Sequence, residues 1–352
     1  MKVLILGGTG AMGVHLVNLL SKQECEITVT SRSRRKSKDN IEYIQGNARD
    51  VDFLQTTILN KKWDVIIDFM VYSTPLFKER AELLLQATSQ YVFLSSARVY
   101  ADSKEPIKEN SSRLLDVSQD EVFLSLDEYS LTKARQEDIL KNSGRSNWTI
   151  IRPYITYAEN RLQLGVLEKE EWLYRALKGR TIFFSEDINS KFTTLTYGHD
   201  VAKGIVSIIG NKEALGEAFH IATNETITWG CVLNIYLNVL KKHLGYEPKV
   251  VLKDLESYNN VESHKIYQIK YDRMFDRKFD NSKISKHYKD SFISIEQGLK
   301  NSLLVFLENP QFNHINWKSE ALKDKATKEH TKLKEIPRFK QKVKYLLYRY
   351  FL

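Results

Sequence analysis

The stretch Gly7-Gly8-Thr9-Gly10-Ala11-Met12-Gly13 decides how this chain folds. It follows the apolar run Val3-Leu4-Ile5-Leu6, which has the length and branching of a strand buried on both faces, and it precedes a helical pattern at residues 14–20. Glycines at such positions allow a tight turn, a close approach of backbone amides to a pyrophosphate, and close packing of the helix on the strand. The stretch predicts a dinucleotide site; the alternative is a glycine-rich turn without a ligand.

Further strands are expected along the first half of the chain. The apolar and β-branched runs that predict them lie at residues 26–30, 41–44, 63–69 and 91–96, with helical patterns between them, the clearest at 76–87. Alternation of strands and helices predicts an α/β fold with a doubly wound parallel sheet, and ligands should lie at the carboxyl ends of its strands.

Length and composition suggest several domains. The chain has 352 residues, of which 42% are hydrophobic. We expect a dinucleotide-binding domain at residues 1–155, with parts of 190–225 returning to it, a smaller mixed α/β substrate domain over most of 156–310, and a basic helical tail at 311–352. No run of 18 apolar residues and no signal-peptide pattern occurs, and Cys25 and Cys231 have no metal-ligand neighbours. A cytoplasmic location and no metal site are therefore expected.

Positive charge is concentrated at the end of the chain. Between Lys318 and Leu352, eleven Lys and Arg against four Asp and Glu supply +7 of the net charge of +9, so the body is nearly neutral and no nucleic-acid partner is expected. Residues 337–352 mix basic with aromatic and aliphatic side chains, which suits peripheral contact with an anionic membrane. The alternative is a helix that docks on its own domain or on a second subunit.

The end of the second strand indicates which cofactor is preferred. No acid stands there to bind the 2′-hydroxyl of NAD, and Arg32 is the first charge after the strand. Because arginine suits a 2′-phosphate, we predict NADP(H), with NAD as the alternative cofactor and a solvated basic loop as the alternative interpretation.

Three features later in the sequence indicate catalytic residues. Ser96 lies at the end of the fifth predicted strand, Tyr129 and Lys133 are four residues apart on a predicted helix, and Arg152-Pro153 ends the next strand. A spacing of four puts the phenol and the ammonium on one helix face. The same spacing recurs at Tyr174 and Lys178, so the spacing alone does not identify a catalytic tyrosine. Tyr129 is favoured because it lies between the strand that ends at Ser96 and the strand that ends at Arg152-Pro153.

Together these motifs resemble the extended short-chain dehydrogenase/reductase family of nucleotide-sugar epimerases, dehydratases and keto-reductases. Within that family, Val65-Ile66-Ile67-Asp68-Phe69 and Ile227-Thr228-Trp229 resemble a bacterial subgroup related to chloroplast stem-loop-binding proteins. The resemblance runs from Met1 to about Leu307 and implies a Rossmann-type sheet. It rests on segments in family order: Gly7-x-x-Gly10-x-x-Gly13, Ser96-Ala97-Arg98-Val99-Tyr100, Tyr129-x-x-x-Lys133, Arg152-Pro153, His199-Asp200-Val201-Ala202 and Phe279-Asp280-Asn281-Ser282-Lys283.

The resemblance also implies roles for individual residues. Ser96 would hydrogen-bond the reacting oxygen, Tyr129 would be the general acid or base, and Lys133 would bind the nicotinamide ribose and favour the phenolate. A nucleotide-sugar substrate and a homodimer are implied as well. The expected cofactor-binding residues are Gly7, Thr9, Gly10, Ala11, Met12, Gly13, Arg32, Asn47, Ala48, Phe69, Met70, Lys133 and Pro153.

The predicted function is that of an NADP(H)-dependent oxidoreductase acting as an epimerase on a nucleotide-activated sugar, by analogy in polysaccharide biosynthesis. The alternatives are a nucleotide keto-sugar reductase and a non-catalytic Rossmann-fold protein that binds a nucleotide or RNA. Thr193 and Thr194 stand where the family often has an arginine that binds the substrate diphosphate. The residues expected to bind the substrate therefore differ from the family pattern. Arg273 and Arg277 could reach a substrate phosphate, or could lie on a solvated face.

Overall fold

The computed structural model describes all residues from Met1 to Leu352. They form two compact units, the first made of residues 1–158, 194–225 and 278–295, and the second of residues 159–193, 226–277 and 296–352. The expected domain boundaries differ from this division in two segments, because residues 278–295 belong to the first unit and residues 311–352 to the second. None of the helices combines the length and the apolar composition that crossing a bilayer requires.

A seven-stranded parallel sheet forms the centre of the first unit, in the strand order β11-β6-β5-β4-β1-β2-β3. The order reverses between β1 and β4, and in such sheets ligands bind at this point, outside the carboxyl ends of the strands. The strands of the chain are β1 (Lys2–Leu6), β2 (Glu26–Ser31), β3 (Ile41–Gln45), β4 (Trp63–Asp68), β5 (Thr88–Leu94), β6 (Trp148–Pro153), β7 (Thr156–Tyr157), β8 (Ile182–Ser185), β9 (Phe192–Thr193), β10 (Thr196–Tyr197), β11 (Glu217–Ile221), β12 (Ile227–Thr228) and β13 (Val250–Lys253).

Helices cover both faces of this sheet. Val3 and Ile5 of β1 join one core, with residues of α1 and α9, whereas Leu4 and Leu6 join a second core with residues of α3 and α6. This alternation confirms the predicted Rossmann-type doubly wound α/β fold. The helices are α1 (Gly13–Leu20), α2 (Val51–Phe53), α3 (Thr74–Gln86), α4 (Leu114–Val117), α5 (Glu121–Ser125), α6 (Tyr129–Lys141), α7 (Leu173–Leu177), α8 (Glu186–Ser190), α9 (Gly198–Val206), α10 (Trp229–Leu244), α11 (Leu255–Val261), α12 (Ile266–Gln268), α13 (Ile295–Glu308), α14 (Trp317–Thr327) and α15 (Phe339–Tyr350).

Most predicted elements match the structure to within one or two residues, and two differ more. The fifth strand ends at Leu94 rather than at residue 96, because the Ser96 side chain accepts a backbone N–H and caps a short 3-10 turn instead. The sequence of residues 170–178 predicts a helix, but only Leu173–Leu177 are helical, since the preceding residues form a turn in which the backbone N–H of Glu171 donates to the Glu168 carbonyl.

The basic tail packs within the second unit. The guanidinium of Arg175 is fully buried and contacts carboxylate oxygens of Glu320 at 3.0 Å, Asp324 at 2.8 Å and Glu329 at 3.0 Å. The hydroxyl of Tyr345 on α15 donates to Asp324 at 2.7 Å. Helices α14 and α15 are therefore held on their own unit by buried charges, as one of the two interpretations of the tail expected.

Candidate functional site

The glycines of the turn between β1 and α1 have three different surroundings, and two of them leave no room for a side chain. Gly7 has a φ of +76°, and a Cβ there would lie 2.8 Å from the Sδ of Met70. At Gly13 a Cβ would lie 2.6 Å from the carbonyl carbon of Gly8, so the helix start packs directly on the turn. At Gly10 a Cβ would meet nothing within 4 Å. The turn thus combines a tight bend, close helix packing and an open backbone edge, as a pyrophosphate site requires.

A cleft of about 420 Å³ opens at this turn, and we call it the glycine-loop cleft. It contains two arginines, Arg32 and Arg49, and no acidic residue. Eight of the predicted cofactor residues line it: Gly7, Thr9, Gly10, Arg32, Asn47, Ala48, Phe69 and Met70. The other lining residues are Thr30, Ser31, Gly46, Arg49 and Val71. The cleft therefore lies at the carboxyl ends of the central strands and is positively charged.

A second cleft of about 450 Å³, the tyrosine cleft, contains Tyr129 and Lys133. Arg49 and Val71 line both clefts, so the two lie next to each other. The remaining lining residues are Tyr72, Ser73, Leu76, Asp127 and Thr132. An elongated ligand could therefore extend from the glycine turn to the phenol.

The ring of Tyr129 is fixed where α6 begins. Tyr129 is the first residue of the helix, and the side chain of Glu128 caps that end by accepting the N–H of Ser130 at 2.7 Å. Glu128 also accepts a hydrogen bond from Arg98 at 2.8 Å. The guanidinium carbon of Arg98 lies 5.1 Å from the centroid of the Tyr129 ring. The phenol is thus held between its own helix start and a cation from the loop after β5.

Ser96 lies in the same loop as Arg98. Its side chain is buried, with 7% of the residue exposed, and its Oγ accepts the backbone N–H of Arg98 at 3.2 Å. Arg98 therefore contacts both Ser96 and Tyr129. Arg98 thus links these two predicted catalytic residues, which are 33 positions apart in the sequence.

The ammonium of Lys133 is buried below this loop. Its Nζ donates to the carbonyl oxygen of Leu94 at 2.6 Å and lies 4.6 Å from the centroid of the Phe93 ring. Burial lowers the pKa of Lys133 to about 8, although the negative charges of Asp68 and Glu137 oppose the shift. At neutral pH the side chain is therefore mostly a charged donor beside the tyrosine cleft.

Asp68, at the end of β4, is a buried acid that the sequence did not single out. Its carboxylate accepts hydrogen bonds from the hydroxyls of Tyr72 at 3.0 Å and Tyr91 at 2.8 Å, and from the N–H of Met70 at 2.9 Å. Burial raises the pKa of Asp68, while these hydrogen bonds and the charge of Lys133 oppose the rise. Asp68 thus fixes the segment after β4, which lines both clefts.

Arg152, from the predicted Arg-Pro motif, supports α6. It makes two hydrogen bonds to the carboxylate of Glu137, at 2.8 Å and 2.6 Å, and both side chains are buried. The hydroxyl of Ser95 donates to the same carboxylate at 2.6 Å. Burial would raise the pKa of Glu137, but the charge and hydrogen bonds of Arg152 lower it. The pair connects β6, α6 and the loop that carries Ser96.

Five predicted site residues do not line either cleft: Ala11, Met12, Gly13, Ser96 and Pro153. The Sδ of Met12 instead accepts a hydrogen bond from the Thr156 hydroxyl at 3.7 Å. Conversely, Arg49 and the segment 71–73 were not predicted, although their position just after strands β3 and β4 was a usable signal. The role of Glu128 had no such signal.

Arg273 and Arg277 of the second unit are buried, so the interpretation of a solvated face is wrong. The Nε of Arg273 donates to the carbonyl oxygen of Gly165 at 2.9 Å, and the Nε of Arg277 lies 3.3 Å from the carboxylate of Asp272. Both guanidinium groups therefore have partners inside the protein.

Comparison with known proteins identifies the family. The sequence model of the NAD dependent epimerase/dehydratase family matches residues 3–222, which is more than half of the chain. The chain belongs to this family.

Individual proteins similar to this chain share less than 30% of its residues. The chloroplast stem-loop binding protein of 41 kDa b from Arabidopsis thaliana is 28% identical over 251 residues, which span 65% of this chain and 60% of that protein. The epimerase Mth375 from Methanothermobacter thermautotrophicus has a TM-score of 0.68 at 17% identity, covering 88% of this chain and 92% of that one. The UDP-glucuronic acid 4-epimerase from Bacillus cereus, solved with UDP-glucuronic acid and NAD, has a TM-score of 0.63 at 16% identity, covering 88% and 99%. At such identities the solved structures show that the fold is shared.

Proposed function

We propose that this protein is an NADP(H)-dependent oxidoreductase that epimerises a nucleotide-activated sugar by transient oxidation and re-reduction. The observation that carries the proposal is the pair of adjacent clefts, one opening at the glycine turn and the other lined by Tyr129 and Lys133. Family membership supports it. The Bacillus cereus epimerase of similar fold was solved with a UDP-sugar and NAD, which favours the same substrate class.

Tyr129, Ser96 and Lys133 have separate roles in the proposed reaction. A bound nicotinamide would supply reversible hydride transfer with a sugar carbon. Tyr129 removes the proton of the adjacent sugar hydroxyl, and Ser96 donates a hydrogen bond to the same oxygen. Lys133 holds the ribose and favours the phenolate through its positive charge. Tyr129 would return the proton to the sugar oxygen on re-reduction, so the complete cycle would consume no external reductant.

The preference for NADP(H) rests on Arg32 and Arg49 in a cleft without acidic residues. Titration with each nucleotide tests it. An Arg32→Ala variant should bind NADPH roughly tenfold more weakly or worse, while its NADH affinity stays unchanged. Arg34→Ala is the matched control, because Arg34 lies in the same exposed loop but does not line the cleft. Equal wild-type affinity for NADH and NADPH would overturn the NADP(H) assignment.

A nucleotide keto-sugar reductase would use the same residues, and cofactor consumption separates it from an epimerase. An epimerase interconverts two nucleotide sugars with no net change in the cofactor, whereas a reductase oxidises one NADPH for each sugar. Incubation of the enzyme with a panel of nucleotide sugars, followed by chromatography of the products, therefore identifies the reaction.

The name of the Arabidopsis thaliana relative favours a second candidate function, binding of a nucleic-acid stem-loop. Against it, +7 of the net charge of +9 lies in residues 318–352, so the remainder of the chain carries only about +2. Titration of a labelled RNA stem-loop distinguishes the two candidates. Tight stem-loop binding together with no binding of either nicotinamide nucleotide would replace the enzyme proposal.

A further inference from the structure

Helix α15 is attached to the second unit through one side. Tyr345 has 1% of its surface exposed, and its hydroxyl donates to Asp324 and accepts the N–H of Thr331 at 2.8 Å. Leu346 and Tyr348 pack partly against the same apolar cluster, which includes Trp317. This attachment determines which side of the helix faces outward.

The outward side of α15 is apolar. Phe339 is 79% exposed, Val343 50%, Leu347 43% and Tyr350 57%. The spacings of four, four and three residues place these side chains on one face. Each residue turns the helix by about 100°, so Tyr345, two residues from both Val343 and Leu347, lies on the opposite side. The next residue, Phe351, is 79% exposed as well. An aliphatic and aromatic stripe therefore runs the length of the helix in contact with water.

Basic residues border this stripe. From Ile336 to Leu352 the chain has no Asp or Glu and five basic residues: Arg338, Lys340, Lys342, Lys344 and Arg349. The helical rotation places Lys340 and Lys344 along one border and Lys342 along the other. Lysines in these positions can extend their ammonium groups sideways while the stripe faces an apolar phase.

We propose that α15 docks its exposed apolar stripe on an anionic lipid bilayer, with the helix axis parallel to the membrane surface. A helix of 12 residues is far too short to span a bilayer, so it can only lie at the interface. The lysines on both borders complement negatively charged headgroups, and the buried side of the helix keeps the enzyme attached. The inference does not depend on which reaction the clefts catalyse.

Co-sedimentation of the full chain with vesicles tests the inference. Vesicles of phosphatidylcholine containing phosphatidylglycerol should bind the protein, whereas phosphatidylcholine alone should bind it roughly tenfold less, and high salt should reverse binding. Two double variants test the apolar and the electrostatic contributions to membrane binding separately. Phe339→Ser with Phe351→Ser removes apolar contact, and Lys340→Glu with Lys344→Glu reverses the charge at one border of the stripe. Each should lower partitioning by roughly tenfold or more.

Matched variants control for general effects of polarity and charge. Val122→Ser with Tyr246→Ser changes exposed apolar residues elsewhere, and Lys22→Glu with Lys212→Glu changes exposed lysines elsewhere. Both controls should partition like the wild type, and circular dichroism should show unchanged helix content in every variant. Failure of the wild type to bind anionic vesicles at low salt, or binding that the tail variants leave unchanged, overturns the inference. So does a tail variant that turns a dimer into a monomer in size-exclusion chromatography, because a second copy would then cover the stripe.

Discussion

The guanidinium carbon of Arg98 lies 5.1 Å from the centroid of the Tyr129 ring, while the backbone N–H of Arg98 donates to the Oγ of Ser96. One residue thus contacts both side chains that would act on the substrate oxygen. Its partner Glu128, at 2.8 Å, directly precedes Tyr129 in the chain. Because the guanidinium of Arg98 is occupied by Glu128 and by the Tyr129 ring, we expect it to position the phenol relative to the serine rather than to touch the substrate.

Replacement of this guanidinium should slow catalysis selectively. For Arg98→Gln we expect kcat to fall roughly 5- to 30-fold, because a partly buried cation–π contact contributes about 1–2 kcal/mol. NADPH affinity should stay at the wild-type value, and Arg98→Lys should recover part of the loss. Steady-state kinetics measure kcat, and a binding titration measures the NADPH affinity. A parallel fall in cofactor affinity would show instead that the substitution disturbs the whole site.

Two glycines of the turn should respond differently to alanine. Gly10→Ala should leave the free energy of unfolding within about 0.5 kcal/mol of the wild type, because its Cβ meets no neighbour. The same Cβ enters the space expected for the cofactor and should weaken nucleotide binding roughly tenfold or more. Gly13→Ala should lose both stability, by roughly 1–3 kcal/mol, and binding, since its Cβ overlaps the Gly8 backbone. Wild-type affinity in Gly10→Ala would place the cofactor elsewhere.

The buried Lys133 should make stability depend on pH. Its pKa is about 8 in the folded chain, below the ordinary value of 10.5, so between these pH values the unfolded chain binds more protons than the folded one. The contribution of Lys133 to the free energy of unfolding therefore rises with pH across this window, by up to about 3 kcal/mol. Urea unfolding at several pH values gives the free energy of unfolding of the wild type and of Lys133→Met. The difference between the two at each pH is the contribution of Lys133. A difference that stays flat between pH 8 and pH 10.5 would show that Lys133 is not desolvated.

The buried charges that hold the tail should be essential for its packing. Arg175→Met leaves Glu320 and Asp324 without their main cation and should cost roughly 3–5 kcal/mol. The control Arg145→Met removes an exposed pair with Glu82 and should leave the unfolding midpoint almost unchanged. Urea unfolding measures both, and limited proteolysis should cleave the tail of Arg175→Met first. Equal midpoints for the two variants would mean that the buried cluster is not required.

Local patterns in the sequence were sufficient to predict most elements. The apolar pattern of residues 229–244, followed by Gly245, predicts a helix over these residues. The structure has a helix with the same bounds, because Thr228 caps its start and Gly245, with a φ of +77°, ends it. The central strands were equally evident, since a strand buried on both faces is an uninterrupted apolar run. Ser96 was assigned to a strand because the sequence does not show that its side chain caps the following turn.

Long-range contacts were beyond the reach of such patterns. The pair formed by Arg98 and Glu128 joins residues 30 positions apart, and that of Arg175 and Asp324 joins residues 149 positions apart. Neither arginine has a local feature that predicts its partner, because a buried ion pair depends on how distant segments pack. For the same reason the sequence located Tyr129 and Lys133 but not the cation that holds the phenol in place.

Transient reduction of bound NADP⁺ by a nucleotide sugar, followed through nicotinamide absorbance in a single turnover, tests the central claim most directly. The wild type should show reduction followed by reoxidation. Tyr129→Phe should be slower by roughly 100-fold or more, because a general base contributes at least that factor. Tyr174→Phe, which removes a tyrosine of the same Tyr-x-x-x-Lys spacing in the second unit, should keep the wild-type rate. Reduction at the wild-type rate in Tyr129→Phe would contradict the account.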